Sequence, residues 1–521
     1  MRLVDYLDKG ASLGPSAACL TTDGETLSYG EVQQLSYRIA AALVECGLRP
    51  GGKVAILSAN DPVAFSCVFG ISRAGAIWCP INPRNEAAEN RELLDQFDCE
   101  VLIYQQAFAP LVDRIRDSLP GVHTFVCLDG EPISSGPTPH PRVRSVGWDA
   151  FCGGVSQPAP DLTDPDGLAM IVGTGGTTGR PKGVMLSNTN LETMTALTLI
   201  GYPFGSRPVY LALAPLTHAA GVLCFPVLAS GGEIVIMRAP DVHAFLQLIP
   251  RHQVTHTFLP PTLIYMVLAA DELDATDLSS LRCFWYGAAP MSVTRLREAL
   301  ERIGPVMAQL FGQTEAPMMI SMLPPAAHFD AVGNIAVKRL GSAGQPSPLV
   351  TVAIMSPDGV LLRRGERGEI VVRGSLVMRG YYQNPEATAA ASAYGWHHTG
   401  DIGYLDDDNY LYIVDRAKDM IITGGFNVYS TEVEQALMAH TAVRDCAVIG
   451  QPDDKWGERV VAVVQLQPGS QVEPTELIAF AKERIGSVKA PKEILVWPDL
   501  PRSKVGKVVK PEIKARLASL Q

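Results

Sequence analysis

Short apolar runs alternate with helix-like segments in the first part of the chain, and this alternation restricts the possible folds more than any other feature. Residues 28–31 (SYGE) have the spacing of a helix capping box, and apolar residues follow at helical spacing over 32–43. The runs 53–57 (KVAIL) and 76–81 (AIWCPI) are typical of buried strands. Helices that connect such strands cover a largely parallel sheet, so we predict an α/β fold. The Gly- and Pro-rich segment 134–160 is expected to form a surface loop.

The pattern changes twice further along the chain. Near Gly341 it gives way to short strand-like runs such as 369–373 and 410–414, which predict a small β-rich unit. We interpret the acidic run 406–409 (DDDN) between two such runs as a hairpin turn rather than a metal site. After residues 415–419, alternating helix and strand patterns predict a separate α+β domain of about 100 residues.

The composition is that of a globular protein and argues against several classes of function. With 521 residues the chain is too long for a single core, and its net charge of -11 disfavours sequence-independent nucleic-acid binding, which requires a basic surface. No apolar run reaches the roughly 18 residues that span a bilayer, and residues 1–6 lack the apolar core of a signal peptide. The cysteines show no ligand-like pairs and are expected to be buried thiols. We therefore expect a cytoplasmic protein with no nucleic-acid partner and no integral membrane association.

The strongest functional signal is a loop rich in glycine and threonine, 173–183 (GTGGTTGRPKG), which follows the apolar run 168–172. Backbone N–H groups that emerge at a strand end beside a lysine can wrap a polyphosphate. The loop is not a Walker A element, because Lys182 is followed by Gly183 rather than by Ser or Thr. A flexible surface turn is the alternative for the loop taken by itself. The loop therefore indicates nucleotide chemistry outside the P-loop NTPases.

Four further motifs follow this loop along the chain. They are 285–290 (WYGAAP), 311–315 (FGQTE), 396–401 (WHHTGD) and 501–507 (PRSKVGK). Together with the glycine-rich loop, their sequence and order resemble those of the adenylate-forming superfamily, which includes acyl-CoA synthetases, 4-coumarate:CoA ligases, firefly luciferases and the adenylation domains of peptide synthetases. The resemblance extends over almost the whole chain.

This resemblance implies an enzyme that works in two steps. A carboxylate attacks the α-phosphate of MgATP to give an acyl-adenylate and pyrophosphate, and the thiol of coenzyme A then displaces AMP. The implied ligands are ATP, Mg²⁺, coenzyme A and a small-molecule carboxylic acid. Since two anions meet in the first step, the chemistry needs charge neutralisation and in-line positioning rather than a protein nucleophile.

The resemblance also implies a two-domain α/β architecture. A large N-terminal AMP-binding domain, 1–415, would contain packed mixed sheets with helices and a small β-rich subdomain. A small mobile α+β domain, 416–521, would close over it as a lid. Lys418 matches the family hinge between the two domains.

The resemblance assigns residues within these motifs, and others outside them, to the nucleotide or to coenzyme A. The implied contacts are Thr174, Gly175, Gly176, Thr177, Thr178, Gly179 and Lys182 at the β- and γ-phosphates; Gly287, Ala288, Ala289, Gln309, Phe311 and Gly312 around adenine and the acid; Thr314 at the α-phosphate; Asp401 and Arg416 at the ribose; Lys418 at the hinge; and Gly424 and Gly425 beside the pantetheine tunnel. Glu315 and Thr174 are the implied ligands of Mg²⁺, a hard cation that prefers oxygen.

The resemblance implies that Lys507, His218 and Glu315 act in the reaction itself. The ammonium group of Lys507 would reach the carboxylate and α-phosphate oxygens as charge develops between them. His218 would line the acid pocket and position the acid rather than transfer protons, because the acid is already ionised at neutral pH. Without the resemblance, we would interpret Lys507 as part of a solvated basic tail and His218 as a structural histidine.

The residues expected around the acid are small or apolar and include no Lys or Arg. They are His218, Gly221, Val222, Tyr286, Gly287, Phe311, Gly312, Ala316, Pro317 and Met318. We therefore predict a hydrophobic monocarboxylic acid, fatty or aryl, because a second buried carboxylate would need a partner. The alternatives are an enzyme that loads its acyl-adenylate onto a carrier protein, a luciferase-like oxygenase, or a non-catalytic protein on the same scaffold. The oligomeric state stays open, with a homodimer as one alternative.

The sequence departs from the common family pattern at two positions. Gly175 replaces the usual Ser or Thr of the loop and removes one hydroxyl contact to phosphate. Ser430 stands where proline is more frequent, after the segment implied to border the pantetheine tunnel. Apart from these departures, the basic residues Lys489 and Lys492 are candidates for contact with the phosphates of coenzyme A.

Overall fold

A computed structural model describes most of the chain. The described residues are 1–133, 143–153, 162, 167–174, 181–217, 219–503 and 508–519. Within these residues, no helix combines the length and the apolar character that crossing a bilayer would require. All of the cysteines are described and are free thiols, and every one except the half-buried Cys46 is buried. This confirms the expectation of buried thiols.

The early strands form the first mixed sheet. In spatial order its strands are β19 (Gly380–Tyr381), β9 (Lys182–Ser187), β8 (Leu168–Thr174), β4 (Ile77–Ile81), β3 (Lys53–Leu57), β5 (Cys99–Tyr104), β6 (Thr124–Cys127) and β7 (Arg144–Gly147). From β8 to β7 each strand is parallel to its neighbour, whereas β9 is antiparallel to β8 and β19 is antiparallel to β9. The prediction of a largely parallel sheet is confirmed here.

The expectation that residues 134–160 form only a surface loop was wrong in part. Strand β7 lies inside this segment and is parallel to β6 at the sheet edge, and a short helix, α6 (Trp148–Cys152), follows it. An edge strand of four residues with no fully buried side chain carries little hydrophobic signal. Its Gly- and Pro-rich surroundings therefore dominated the prediction.

A second mixed sheet is built from later strands together with the first two of the chain. In spatial order they are β16 (Gln345–Pro346), β15 (Ala316–Leu323), β14 (Met307–Gln313), β13 (Cys283–Gly287), β12 (His256–Leu259), β10 (Val209–Ala212), β11 (Glu233–Ile236), β1 (Ala18–Thr22) and β2 (Glu25–Ser28). The strands from β14 to β1 are parallel to their neighbours. The antiparallel strand β15 returns directly from the end of β14, so the turn between them lies at the carboxyl edge of the parallel strands.

Helices fill the space between the two sheets and cover their outer faces. Those of the inner layer are α1 (Leu3–Leu13), α2 (Tyr29–Glu45), α3 (Pro62–Arg73), α7 (Asn188–Gly201) and α9 (Cys224–Ala229), and their apolar side chains form one core with a face of each sheet. The outer helices are α4 (Ala87–Gln96) and α5 (Ala109–Ile115) on the first sheet, and α10 (Val242–His252), α11 (Pro261–Leu268) and α12 (Val293–Arg302) on the second. Shorter helices are α8 (Ala219–Val222), α13 (Val337–Leu340) and α14 (Pro385–Ala391). Ser28 and Glu31 make the predicted capping box of α2.

A small antiparallel sheet follows, as the strand-like runs predict. Its strands are β17 (Thr351–Met355), β18 (Gly368–Arg373), β20 (His397–Leu405) and β21 (Leu411–Arg416), in that spatial order. The acidic run 406–409 forms the turn between β20 and β21, where the carboxylate of Asp406 accepts a hydrogen bond from the Tyr410 N–H at 2.7 Å. This confirms the interpretation of the run as a hairpin turn.

The C-terminal unit has its own sheet and its own hydrophobic cores. The sheet contains β22 (Ile421–Thr423), β23 (Phe426–Val428), β24 (Val443–Asp453), β25 (Gly457–Leu466) and β26 (Glu493–Val496). Helices α15 (Ser430–Met438) and α16 (Pro474–Lys489) pack on one face, and α17 (Lys510–Ala518) packs on the other. A short 3-10 turn, Ala417–Asp419, connects β21 to this unit.

A buried polar cluster joins the end of β21 to the C-terminal unit. The carboxylate of Asp415 accepts hydrogen bonds from the backbone N–H of Ser430 and from its hydroxyl, the latter at 3.0 Å. The ammonium of Lys510 donates to the same hydroxyl and pairs with Glu434 at 2.8 Å. The hydroxyl of Ser430 thus links two charged groups, a role that the proline common at this position could not fill.

We expect Ser430→Ala to loosen α15 without unfolding the protein. The substitution keeps the hydrogen bond from the backbone N–H to Asp415 but removes the hydroxyl between two charged groups. This loss should lower the free energy of opening α15 by about 1.5 kcal/mol. The α15 amides should then exchange about tenfold faster in hydrogen-exchange mass spectrometry. The amides of α2, far from the substitution, serve as the internal control. Unchanged exchange in α15 would show that the hydroxyl contributes nothing to the junction.

Candidate active site

The glycine-rich loop leaves the first sheet between β8 and β9. Thr174 at the end of β8 and Lys182 at the start of β9 are directly paired across the two antiparallel strands, and the Thr174 hydroxyl donates to the Lys182 carbonyl at 3.4 Å. The predicted phosphate contacts at Gly175, Gly176, Thr177, Thr178 and Gly179 lie outside the described residues. The hairpin therefore holds both ends of the loop and brings Thr174 and Lys182 together.

Glu315 lies in the turn between β14 and β15, on the second sheet. Its carboxylate accepts a hydrogen bond from the Tyr381 hydroxyl at 2.9 Å, and its carbonyl accepts one from the Met378 N–H at 2.7 Å. The ammonium of Lys182 lies 4.9 Å from the centre of the Tyr381 ring. Tyr381 thus connects the predicted metal ligand of one sheet with the predicted phosphate lysine of the other.

The ribose-binding pair of the prediction is formed across the hairpin of β20 and β21. Asp401 and Arg416 are directly paired residues on these strands, and the Arg416 guanidinium lies 2.8 Å from the Asp401 carboxylate. Asp401 is buried, whereas the side chain of Arg416 is half-exposed. The side-chain amide of Gln313 donates to the other carboxylate oxygen of Asp401 at 2.9 Å and to the Thr399 carbonyl at 2.7 Å. Gln313 therefore fixes the segment 311–315 against the carboxylate that is predicted to bind the ribose.

His397 extends this hydrogen-bonded chain. Its Nε2 lies 3.4 Å from the side-chain oxygen of Gln313. Because the amide nitrogen of Gln313 donates to Asp401, the Gln313 oxygen is the acceptor and His397 is the donor. Burial lowers the pKa of His397, and the nearby Glu315 carboxylate opposes this shift. The bond to Asp401 therefore sets the orientation of the Gln313 amide, and His397 is compatible with it in the tautomer that carries the proton on Nε2.

The backbone around the predicted adenine and acid positions is closely packed. A Cβ at Gly287 would lie 2.2 Å from the Leu310 carbonyl oxygen, and one at Gly312 would lie 2.3 Å from the Met318 nitrogen. The fold itself therefore requires glycine at these two positions. Ala288 and Met318 have positive φ angles of 65° and 61°, a conformation that costs energy for residues other than glycine. Ala289, Phe311 and Thr314 are half-buried beside them.

Tyr286 and Gln309 lie on the outer face of the second sheet. The Tyr286 side chain packs with the cluster that includes α11 and α12, whereas its neighbour Trp285 faces the core between the sheets. The Tyr286 hydroxyl is 3.0 Å from His328 Nε2 and donates to the Gln309 side chain at 3.4 Å. Burial lowers the pKa of His328 to about 4, so this ring is neutral at pH 7. Tyr286 therefore acts as a buried support for Gln309, and its side chain points away from the core that contains Trp285.

The C-terminal residues of the prediction are spread along the surface of their unit. Lys418, Gly424 and Gly425 are exposed, and the Gly424 N–H donates to the Trp456 carbonyl at 2.8 Å. Lys489 pairs with Glu432 at 2.6 Å. His218 and Lys507 lie outside the described residues.

Three residues that the sequence prediction did not assign belong to this site. Tyr381, Gln313 and His397 each hydrogen-bond to a residue of the 311–315 or 396–401 segments. Gln313 and His397 stand inside motifs that the sequence shows plainly, so their position was a usable signal. Tyr381 is 66 residues from Glu315, and no local pattern marks that contact.

The oxygen donors present suit Mg²⁺ in a site completed by a nucleotide. Within the described residues there is no group of three or more His, Cys, Asp or Glu side chains that could enclose a metal ion. Mg²⁺ usually binds through one or two protein oxygens together with substrate phosphates and water. One carboxylate at Glu315 and one hydroxyl at Thr174 fit that pattern.

The fold and this site define a class of protein. Residues 7–382 match the family of AMP-binding enzymes, and residues 432–507 match the C-terminal domain of AMP-binding enzymes. The chain belongs to this family, the adenylate-forming superfamily, which confirms the family and the fold class predicted from the motifs.

Individual relatives are similar over nearly the whole chain. The medium/long-chain-fatty-acid–CoA ligase of Mycobacterium tuberculosis is 35% identical over 506 residues, which cover 95% of this chain and 86% of the relative. The feruloyl-CoA synthase of an Amycolatopsis species is 35% identical over 509 residues, 97% of each chain. The solved structure of an amide bond synthetase from Marinactinospora thermotolerans is 30% identical, with a TM-score of 0.87 and coverage of 99% of both chains.

Proposed function

We propose that the protein is an acyl-CoA ligase that activates a hydrophobic monocarboxylic acid with ATP. In the first step the acid carboxylate attacks the α-phosphate, and the bond to pyrophosphate breaks to give acyl-AMP. In the second step the thiol of coenzyme A attacks the acyl carbon, and AMP leaves. Family membership and the names of the two relatives that are 35% identical support this proposal.

The observation that carries the proposal is the contact between Gln313 and Asp401. The 2.9 Å hydrogen bond joins the segment that ends in Glu315 to the carboxylate paired with Arg416. This contact supports the proposal that the predicted metal and phosphate ligands and the predicted ribose ligands belong to one site. This arrangement suits a nucleoside triphosphate better than it suits separate surface functions.

Each residue then has a role that follows from its chemistry. The Asp401 carboxylate accepts hydrogen bonds from the ribose diol, and Arg416 stays charged beside it. Lys182 neutralises charge on the outer phosphates, and Lys507 neutralises the charge that develops between the acid and the α-phosphate. Glu315 and Thr174 would hold Mg²⁺, which would supply charge neutralisation at the phosphate oxygens.

We extend the proposal to the domain movement and the second step. The boundary between the domains would lie at 415/416, and residues 416–521 would rotate about Lys418. Lys507 would face the site in the first step, and Gly424 and Gly425 would face it in the second. The position of Lys418 in the short turn Ala417–Asp419, between β21 and the C-terminal unit, supports a hinge at this point. The buried free thiols support a cytoplasmic location, where thiols stay reduced.

The acid class follows from the residues expected around it. The individual residues that are predicted to line the acid pocket include no Lys or Arg, so an uncharged tail, fatty or aryl, is favoured. His218 would position the carboxylate at the entrance of this pocket. The names of the two relatives, one for fatty acids and one for a feruloyl substrate, support both tail classes.

The test is pyrophosphate release by the purified protein with MgATP, coenzyme A and a panel of fatty acids, benzoates and cinnamates, with mass detection of products. We expect an acyl-CoA for one class of acid. Pyrophosphate release with acyl-AMP but no acyl-CoA would favour a carrier protein as the acceptor. Adding a carrier protein to the assay would then test whether it receives the acyl group. Absence of pyrophosphate release across the panel would contradict the proposal.

A further inference from the structure

Tyr381 occupies a defined position between the two sheets of the N-terminal part. It belongs to β19, where it pairs with Val184 of β9, and it is only 8% exposed. The N–H of the next residue, Tyr382, donates to the Gly183 carbonyl at 2.7 Å, and the N–H of Arg379 donates to the Met185 carbonyl at 3.0 Å. The backbone of Tyr381 is therefore anchored to the strand that begins at Lys182.

The side chain of Tyr381 reaches the turn that carries Glu315. Its hydroxyl donates to the Glu315 carboxylate at 2.9 Å, while the Met378 N–H, three residues earlier, donates to the Glu315 carbonyl at 2.7 Å. One short segment thus holds both the backbone and the carboxylate of Glu315. The two contacts together limit how freely the Glu315 side chain can turn.

The ring of Tyr381 also faces Lys182. The Lys182 ammonium lies 4.9 Å from the ring centre, within the range in which a cation is attracted to an aromatic face. One side chain therefore contacts a cation through its ring and an anion through its hydroxyl. A tyrosine hydroxyl is ordinarily protonated at neutral pH, so the phenol can act as the hydrogen-bond donor to Glu315.

We propose that Tyr381 is a positioning residue, which orients the Glu315 carboxylate for Mg²⁺ and fixes Lys182 beside it. This inference rests on the proposed function, since it assigns MgATP to the site. The hydroxyl occupies one carboxylate oxygen of Glu315 and leaves the other for the metal. A carboxylate held in advance loses less conformational freedom when the metal binds, so the metal binds more tightly.

The variant Tyr381→Phe isolates the hydroxyl, because it keeps the ring next to Lys182. Titration calorimetry measures ATP binding by the full chain at a series of Mg²⁺ concentrations and in EDTA. We expect the variant to need about tenfold more Mg²⁺ to reach half of the full Mg²⁺-dependent gain in ATP affinity. A factor of this size corresponds to the loss of one hydrogen bond to a charged group. ATP binding in EDTA should be unchanged.

Tyr382→Phe is the matched control. The Tyr382 hydroxyl donates to the Asp98 carboxylate at 2.8 Å, so its removal also deletes a phenol–carboxylate hydrogen bond one residue away, but not the one at Glu315. We expect this variant to retain the Mg²⁺ dependence of the parent protein. Thermal unfolding of both variants reports any general loss of stability.

A double-mutant cycle with Glu315→Gln separates positioning from a structural effect. If Tyr381 acts through Glu315, Tyr381→Phe should change the Mg²⁺ dependence about tenfold in the parent and leave it nearly unchanged in the Glu315→Gln background. Equal effects in both backgrounds, or an equal effect of Tyr382→Phe, would overturn the proposed role. A parent protein that binds no MgATP would refute the proposed function itself. Normal MgATP binding with an unaltered Tyr381→Phe variant would overturn only the role of Tyr381.

Discussion

Lys507→Ala should slow acyl-adenylate formation on the order of a thousandfold while leaving ATP affinity nearly unchanged. The ammonium group contributes where charge develops between the carboxylate and the α-phosphate, so its loss affects the transition state more than the bound nucleotide. The measurement is acid-dependent exchange of labelled pyrophosphate into ATP, together with ATP binding by calorimetry. Thioesterification of a supplied acyl-adenylate should be much less affected, because that step does not need this charge.

The control for Lys507→Ala is Lys514→Ala, which removes an exposed lysine from α17 in the same unit. The ends of the segment that contains Lys507 are anchored, because Arg502 is bridged to Val508 and pairs with Asp445 at 2.6 Å. Loss of one side chain is therefore not expected to disturb the surrounding fold. Equal exchange rates in Lys507→Ala and the parent would remove Lys507 from the reaction. Equal losses in both lysine variants would point to a general electrostatic effect.

The parts of the fold that the sequence predicts well are those with strong local patterns. The strand predicted over 53–57 is β3, and the capping box predicted at 28–31 begins α2. Both signals depend only on residues that are close together in the sequence. Strand β7 escaped prediction because a short edge strand needs few buried side chains. Local patterning therefore predicts the core elements better than the sheet edges.

The candidate site was predictable where its residues share a motif and not where they meet through the tertiary fold. Asp401 and Arg416 are assigned from the family resemblance at two separate places in the chain, and the hairpin pairs them directly. Tyr381 could not be assigned, since its link to Glu315 depends on how β19 adds to the first sheet. Ser430 looked like a departure from a pattern, and only the contacts with Asp415 and Lys510 give it a role.

Asp401→Ala should weaken ATP and AMP binding about a hundredfold. The substitution removes the acceptor for the ribose diol and also leaves Arg416 and the Gln313 amide without the carboxylate they share. Loss of two hydrogen bonds from the ribose diol to a carboxylate, at about 1.5 kcal/mol each, corresponds to roughly that factor. Calorimetry with AMP measures the effect without turnover, and Asp408→Ala, at an exposed position in the turn of the same hairpin, is the control.

A modified nucleotide distinguishes loss of ribose contacts from damage to the site. If Asp401 acts through the ribose hydroxyls, 2′,3′-dideoxy-AMP should bind the parent much more weakly than AMP does. In Asp401→Ala the two nucleotides should bind about equally, because the group that tells them apart is gone. A variant that still prefers AMP by the parental factor would show that another residue holds the ribose. The link from Gln313 to Asp401 would then serve the fold of the hairpin rather than recognition of the nucleotide.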